Sequence, residues 1–172
     1  DSIHGWSQAL HMLVDAYFNA SVRPVFDFSA ISAKGTILPT TGSKAPGPAP
    51  LKYMLEQVEL RFKAAIGRKL RSLEVHDIIC LVSDCVLSGG IRRSSLVSLF
   101  DRDDKEMLSC KTGNWREKHP YRARANNSAV LIRGEVTKEE FLYIFDVCAK
   151  SGTGEPGFFW SSDPDLGSNP CM

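Results

Sequence analysis

The chain has 172 residues, of which 43% are hydrophobic and 24% charged, a balance typical of one soluble globular domain that can bury a core. A formal net charge of +1 argues against a broad basic surface for nucleic acid. No apolar run approaches the roughly 18 residues that a membrane span needs. The cysteines are five, an odd number, and widely scattered (80, 85, 110, 148 and 171), which favours a reducing cytoplasm over a disulfide framework.

The first third of the chain combines one helix with a long Gly/Pro-rich segment. Helical periodicity predicts a helix over residues 3–18, with its apolar face formed by Ile3, Trp6, Leu10, Leu13, Val14, Tyr17 and Phe18. A short β-like run follows at residues 25–28. Residues 35–50 are too rich in glycine and proline for regular structure. Because neither flank is long enough for its own core, we expect an ordered loop within one domain, and such loops tend to be functional.

The remaining segments alternate between helices and apolar strands. Helices are predicted over residues 50–66 and over a segment whose core face carries Val75, Ile78, Ile79, Val82 and Val86, ending at a glycine cap at residues 88–90. Apolar runs at 94–100, 127–132 and 157–160 predict three buried strands. A capping box at residues 137–140 begins a helix that turns Phe141, Ile144, Phe145 and Cys148 inward. This alternation predicts an α/β fold with mainly parallel strands.

The segment SGGIRRSS (88–95) is the first candidate site. Two glycines let the backbone approach a ligand closely, and two arginines offer planar donor forks for phosphate or carboxylate. A helix cap followed by solvated arginines explains the same composition equally well.

Polar residues beside two predicted strands form a second group of candidates. Asn126 and Asn127 precede a buried strand, and one amide is expected to point into a cleft unless both are ordinary turn residues. Glu155 lies between turn residues just before the last strand. Its carboxylate is suited either to accept hydrogen bonds from ligand hydroxyls or to anchor neighbouring backbone amides.

Cysteines supply two further candidates. His76 and Cys80 share a helical face, but Cys85 lies about 140° around the helix from Cys80, so buried structural thiols are favoured over a metal site. In Asn169-Pro170-Cys171, proline restricts the backbone so that the amide and the thiol face the same volume. Spacing alone does not decide between a reactive and an inert Cys171.

Four stretches, taken together and in order, resemble the catalytic chain of ribonucleotide reductases, in particular the monomeric form of the adenosylcobalamin-dependent branch. They are KGTILPTTGSKAPGPAPL (34–51), HDIICLVSDCVLSGGIRRSSLVSLF (76–100), RARANNSAV (122–130) and GEPGFFW through GSNPC (154–171). The resemblance implies a ten-stranded α/β barrel with a central finger loop. Residues 1–172 would be the central part of that barrel without a second domain, an internal piece in which the barrel is incomplete.

The resemblance also implies roles for individual residues. Cys171 matches the cysteine that becomes a thiyl radical and abstracts the 3′ hydrogen of the ribose. Asn169 matches the amide that hydrogen-bonds the ribose hydroxyls. Ser88, Gly89, Gly90, Ile91, Arg92, Arg93 and Ser94 match the specificity loop between the effector site and the substrate base. Asn126, Asn127 and Ser128 lie where the family lines the substrate cleft, and Glu155 is included among the expected substrate-binding residues.

The expected partners follow from the same resemblance. They are a ribonucleotide (by the monomeric branch, a triphosphate), a deoxynucleotide effector, adenosylcobalamin and an external dithiol such as thioredoxin. The family's acid–base glutamate and its reducing cysteine pair match no residue of this chain, so the other four cysteines are expected to be structural and the piece alone inactive. The alternatives are an oxygen-dependent reductase with a separate radical-generating subunit, and a non-catalytic nucleotide-binding module.

Overall fold

The computed structural model describes residues 2–39, 42–88, 91–92 and 94–169. Its elements in chain order are α1 (Ile3–Phe18), α2 (Ala49–Ala64), α3 (Ser72–Cys85), β1 (Leu87–Ser88), β2 (Ile91–Arg92), β3 (Leu96–Asp101), α4 (Lys105–Ser109), α5 (Trp115–Lys118), a 3-10 helix (Pro120–Arg124), β4 (Ala125–Ile132), α6 (Lys138–Ser151) and β5 (Gly157–Ser161). They form two compact units, Asp1–Leu70 with Asp84–Ser94, and Arg71–Ser83 with Ser95–Met172. Within the described ranges, no helix is both long and apolar enough to cross a membrane.

The first unit is built on a pair of helices. The hydroxyl of Ser2 caps α1 by accepting a hydrogen bond from the Gly5 N–H at 3.0 Å. The rings of Tyr17 and Phe18 both lie 5.4 Å from that of Phe62 in α2. Of the apolar face expected for residues 50–66, α2 buries Leu51, Met54, Leu55, Val58 and Phe62. Ile66, expected on the same face, follows the end of the helix and is 73% exposed. The face predicted for α1 is only partly buried, since Ile3 is 92% exposed and Leu13 is the one buried residue of this fully described helix.

The long loop of the first unit has defined internal contacts. Ile37 and Lys44 form an antiparallel bridge, and Ala45 is buried, as expected for an ordered loop. At Gly47, where φ is +81°, an added Cβ would lie 3.1 Å from the backbone nitrogen of Lys34, so the turn requires glycine. The β-like run at residues 25–28 is not a strand.

The predicted glycine cap after α3 is wrong. The helix ends at Cys85, and β1 and β2 then pair in antiparallel fashion, with Leu87 opposite Arg92 and Ser88 opposite Ile91. Residues 89, 90 and 93 lie outside the described part. The glycine pair therefore separates two short strands instead of ending a helix.

The second unit contains a parallel sheet in the order β3-β4-β5. This confirms the predicted α/β fold and all three strands. β4 begins at Ala125, two residues before its predicted start, so Asn126 and Asn127 lie within the strand and not ahead of it. The pairing of β4 with β3 starts at Ala125, whereas its pairing with β5 starts only at Ser128.

Helices cover one face of this sheet. Its buried core consists of Phe100, Met107, Leu108, Ala129, Leu131 and Ile144. The Thr137–Glu140 capping box begins α6 as predicted, and Gly152 ends it in a left-handed conformation. Ile144 is fully buried, but Phe145, predicted to face inward, is 53% exposed.

The predicted core face of α3 is also wrong. Val75 and Ile79 are exposed, whereas His76, Asp77 and Cys80 are buried. The helix has apolar residues on more than one side, and the side that packs on the sheet carries polar groups with partners there. Hydrophobic periodicity alone selects the apolar side and misses this arrangement.

Candidate functional site

The amide residues at the start of β4 point to opposite faces of the sheet. Side chains alternate along a strand, so Asn127 shares a face with Ala129 and Leu131, which are in the helix-covered core. Asn127 is 2% exposed. Asn126 and Ser128 lie on the other face, which we call the open face, and Asn126 is exposed. The structure therefore brings Asn126 and Ser128 together and separates both from the side chain of Asn127.

A row of three residues crosses the open face. Leu99, Ser128 and Gly157 are register partners on β3, β4 and β5. Gly167, the first residue of GSNPC, lies over this row, because an added Cβ there would be 3.8 Å from Leu99 Cδ1. The C-terminal segment thus passes over the face that carries Ser128. Asn169, two residues further on, is exposed.

Several expected site residues are described only in part. Cys171 lies outside the described residues, as do Gly89, Gly90 and Arg93. Ser88, Ile91 and Arg92 are described as backbone of β1 and β2, and Ser94 is half-buried after them. Their expected roles in binding substrate or effector stay predictions.

On the covered face, His76 lies among polar groups of α3, β3 and β4. Its Nδ1 is 3.1 Å from Ser98 Oγ and 3.5 Å from Cys80 Sγ, and its Nε2 is 3.3 Å from Asn127 Nδ2. Burial lowers the pKa of His76 from 6.5 to about 4, so the ring is neutral at pH 7. Asn127 Nδ2 also donates to Cys110 Sγ at 3.0 Å. The Asn127 side chain is therefore engaged in packing the sheet against α3.

A buried ion pair adjoins this cluster. Arg122 Nε and a terminal guanidinium nitrogen donate to the two carboxylate oxygens of Asp77 at 2.6 and 2.9 Å. Tyr121 donates its hydroxyl to the same carboxylate at 3.1 Å, and Arg122 also donates to the Cys110 carbonyl at 2.7 Å. Because both charges have partners, the pair ties α3 to the segment before β4 without leaving a buried charge unpaired.

Glu155 acts here on backbone and on a lysine. Its Oε2 accepts a hydrogen bond from the Asn127 N–H at 3.0 Å and forms an ion pair with Lys111 Nζ at 2.7 Å. The Lys111 ammonium also donates to the Ala125 carbonyl. Of the two expected uses of this carboxylate, the contacts show the anchoring of a backbone amide.

The described cysteines have the environment of structural thiols. Cys80, Cys85 and Cys110 are buried and unpaired as disulfides, and Cys148 is half-buried. Burial raises the pKa of Cys80 and of Cys85 to about 12, and it also raises the pKa of Cys110. Thiols that stay protonated are poor nucleophiles and poor metal ligands. Among the described residues, no group of three or more His, Cys, Asp or Glu side chains is placed to hold a metal ion.

The covered polar cluster was missed by sequence reasoning. In the sequence nothing distinguishes Lys111, Arg122 and Asp77 from exposed charged residues, because their burial depends on partners 44 or 45 positions away. The one available signal was polar residues at positions where α3 should contact the sheet.

Similarity to known proteins covers the whole chain. An adenosylcobalamin-dependent ribonucleoside-triphosphate reductase of Euglena gracilis is 30% identical over 192 residues, with 100% of this chain and 25% of that protein covered. The proteins of the same name from Lactobacillus leichmannii and Lacticaseibacillus paracasei are 31% and 29% identical, each with 99% of this chain and 25% of the relative covered. No protein-family model matches the chain, and no solved structure matches it.

These relatives confirm the resemblance to the catalytic chain of ribonucleotide reductases. More narrowly, the chain is homologous along its length to part of the adenosylcobalamin-dependent ribonucleoside-triphosphate reductases. It spans about a quarter of the length of the relatives it matches.

Proposed function

We propose that the protein to which this chain belongs reduces ribonucleoside triphosphates to 2′-deoxyribonucleotides in an adenosylcobalamin-dependent reaction. The observation that carries the proposal is the similarity to reductases of that name over the entire chain. Adenosylcobalamin supplies the radical when it is bound. We assign none of the described residues to the cobalamin. A cytoplasmic location and DNA-precursor synthesis belong to the same proposal.

The proposed architecture is the ten-stranded α/β barrel of these reductases, with residues 1–172 forming its central part. The three parallel strands and their one-sided helical cover support it. In such a barrel the helix-covered face lies outside and the open face lines the interior. Asn126, Ser128 and the segment at Gly167 would then share the interior with the finger loop.

In the proposed reaction, Cys171 carries the thiyl radical and removes the 3′ hydrogen atom of the ribose. The 2′ hydroxyl, once protonated, leaves as water, the hydrogen returns to C3′, and an external dithiol supplies the two electrons. Asn169 orients the ribose hydroxyls. The passage of the C-terminal segment over Leu99 supports this role, because it brings the segment to the open face.

The remaining expected residues take supporting roles in the proposal. Asn126 and Ser128 face the substrate, and the loop Ser88–Ser94 communicates between a deoxynucleotide effector and the substrate base. Asn127 and Glu155 are the exceptions. Asn127 contacts His76 and Cys110, and Glu155 contacts Lys111. These contacts favour a role in supporting the cleft over direct contact with substrate.

The test is turnover of the complete protein with each ribonucleoside triphosphate, a dithiol and adenosylcobalamin. We expect deoxynucleotide formation that requires the cobalamin and no second protein. Turnover that needs a radical-generating subunit instead would identify the oxygen-dependent class, and nucleotide binding without turnover would identify a non-catalytic module. In a positive assay, Asn169→Ala should lower turnover with less effect on cobalamin binding.

A further inference from the structure

The start of β4 lacks a neighbouring strand on one edge. β4 pairs with β3 from Ala125 onward, but its ladder with β5 begins only at Ser128 and Gly157. The Ala125 carbonyl and the Asn127 N–H point to the same edge, because both backbone groups of alternate residues face the same side of a strand. Without partners, these two groups would be unsatisfied in a largely buried setting.

Lys111 and Glu155 occupy that edge. The lysine ammonium donates to the Ala125 carbonyl, and the glutamate Oε2 accepts from the Asn127 N–H at 3.0 Å. The two side chains also pair with each other at 2.7 Å, and the exposed fraction is 5% for the lysine side chain and 23% for the glutamate side chain. The ion pair therefore replaces one step of the missing strand ladder.

The residue between these two contacts is Asn126. The Ala125 carbonyl belongs to the peptide group before Asn126, and the Asn127 N–H belongs to the peptide group after it. Fixing both peptide groups fixes the Cα–Cβ direction of Asn126, whose side chain lies on the open face. Lys111 and Glu155 approach from elsewhere, one from the segment after α4 and the other from the turn before β5.

We propose that the Lys111–Glu155 ion pair is a positioning device that holds the amide of Asn126 in the substrate cleft. The role in substrate binding rests on the proposed function. The device itself rests on the contacts of Lys111 and Glu155 with the two peptide groups. Neither residue needs to touch the nucleotide, since they act through the backbone of β4.

The proposal separates a positioning role from a merely structural one. Loss of the pair should loosen the Asn126 backbone on the edge that the ladder with β3 does not support, so the KM for ribonucleoside triphosphate should rise about tenfold in Glu155→Ala, with a smaller change in kcat. A purely structural role would lower the melting temperature and the yield of active enzyme but leave KM unchanged. Glu155→Gln keeps an acceptor for the Asn127 N–H and should restore most of the affinity. Lys150→Met, which breaks the exposed pair with Asp146, is the matched control and should change neither KM nor kcat.

Hydrogen exchange of the complete protein tests the device without any variant. The Asn127 amide should be protected to an extent close to that of Ala129 within the ladder, and Glu155→Ala should remove that protection selectively. Fast exchange at Asn127 in the wild type, or an unchanged KM in folded Glu155→Ala, would overturn the proposal. Absence of turnover in the wild type would instead contradict the proposed function, while the exchange measurement would still test the positioning device.

Discussion

Gly157 of β5 leaves the space into which the hydroxyl of Ser128 projects. The two residues are register partners, and an added Cβ at Gly157 would lie 2.8 Å from Ser128 Oγ. This is closer than real Cβ contacts, so any side chain at position 157 must displace the hydroxyl. The requirement for glycine at position 157 is thus explained by Ser128, a residue expected in the substrate cleft.

Replacing Gly157 with alanine should therefore act through Ser128. We expect KM for the ribonucleotide to rise about 3- to 10-fold, the effect of one misplaced hydrogen bond, with little loss of stability. The measurement is a double-mutant cycle with Ser128→Ala. If the glycine acts through the hydroxyl, adding Gly157→Ala to Ser128→Ala has no further effect. Fully additive effects would contradict this coupling.

The neutral state of His76 predicts an acid-sensitive fold. Its pKa is lower in the folded protein, about 4, than the ordinary value of 6.5, because the ring is buried and lies near Arg122 and Lys111, with Asp77 opposing the shift. Below pH 6.5 the His76 ring takes up a proton in the unfolded chain but not in the folded one. The contribution of the neutral ring to the free energy of unfolding is therefore complete above pH 6.5 and falls as the pH drops toward 4. The loss reaches about 3 kcal/mol.

Denaturant unfolding at pH 7.5, 6.0, 5.0 and 4.5 measures this dependence. His76→Gln should flatten the profile between pH 6.5 and 4, while His11→Gln, which changes an exposed side chain, should leave it as in the wild type. An unaltered slope in His76→Gln would show that other groups cause the acid sensitivity.

Breaking the Asp77–Arg122 pair by removing one partner should be among the most destabilising single changes in its unit. Both residues are 6% exposed, and breaking a buried pair leaves one charge without a partner. We expect Arg122→Met to lower the free energy of unfolding by about 3–5 kcal/mol. The exposed pair Lys150–Asp146 serves for comparison, and Lys150→Met should cost less than about 1 kcal/mol. Similar losses in the two variants would argue that Asp77 finds a substitute partner.

The buried cysteines should resist alkylation in the native protein. Cys80 and Cys85 have pKa values near 12 and are almost inaccessible, so neither supplies a thiolate at neutral pH. Cys148 is half-buried and should react faster. Mass spectrometry after timed iodoacetamide treatment gives the order of labelling. Rapid native labelling of Cys80 would contradict its structural role.

The sequence predicted the regular elements of the second unit well because their signals are local. The capping box at Thr137 and Glu140 uses contacts three residues apart, and the apolar runs of β3, β4 and β5 are continuous. The start of β4 was missed since Asn126 and Asn127 have turn-like chemistry. What holds them in a strand is pairing with β3, a contact between residues about 29 positions apart, as in Val97 with Asn126.

The family resemblance was predictable from the sequence, but the orientation of the candidate site residues was not. Motif order indicated the reductase resemblance, and the relatives confirm it. Asn126 and Asn127 point in opposite directions because side chains alternate along a strand. Which of them is buried depends on the face that the helices cover, and Ile144 of α6 and Met107 of α4 lie in the same core cluster as Ala129. Likewise, the partner of Glu155 is Lys111, 44 residues earlier, and no local pattern links them.

The measurement closest to the central claim is turnover of the complete protein with Cys171→Ser. Serine keeps the shape of the side chain but does not form a thiyl radical, so we expect no detectable deoxynucleotide while ribonucleotide binding is retained. Cys148→Ser, on a half-buried helical cysteine, is the matched control and should keep wild-type turnover. Turnover by Cys171→Ser at a rate close to that of the wild type would contradict the thiyl-radical reductase account.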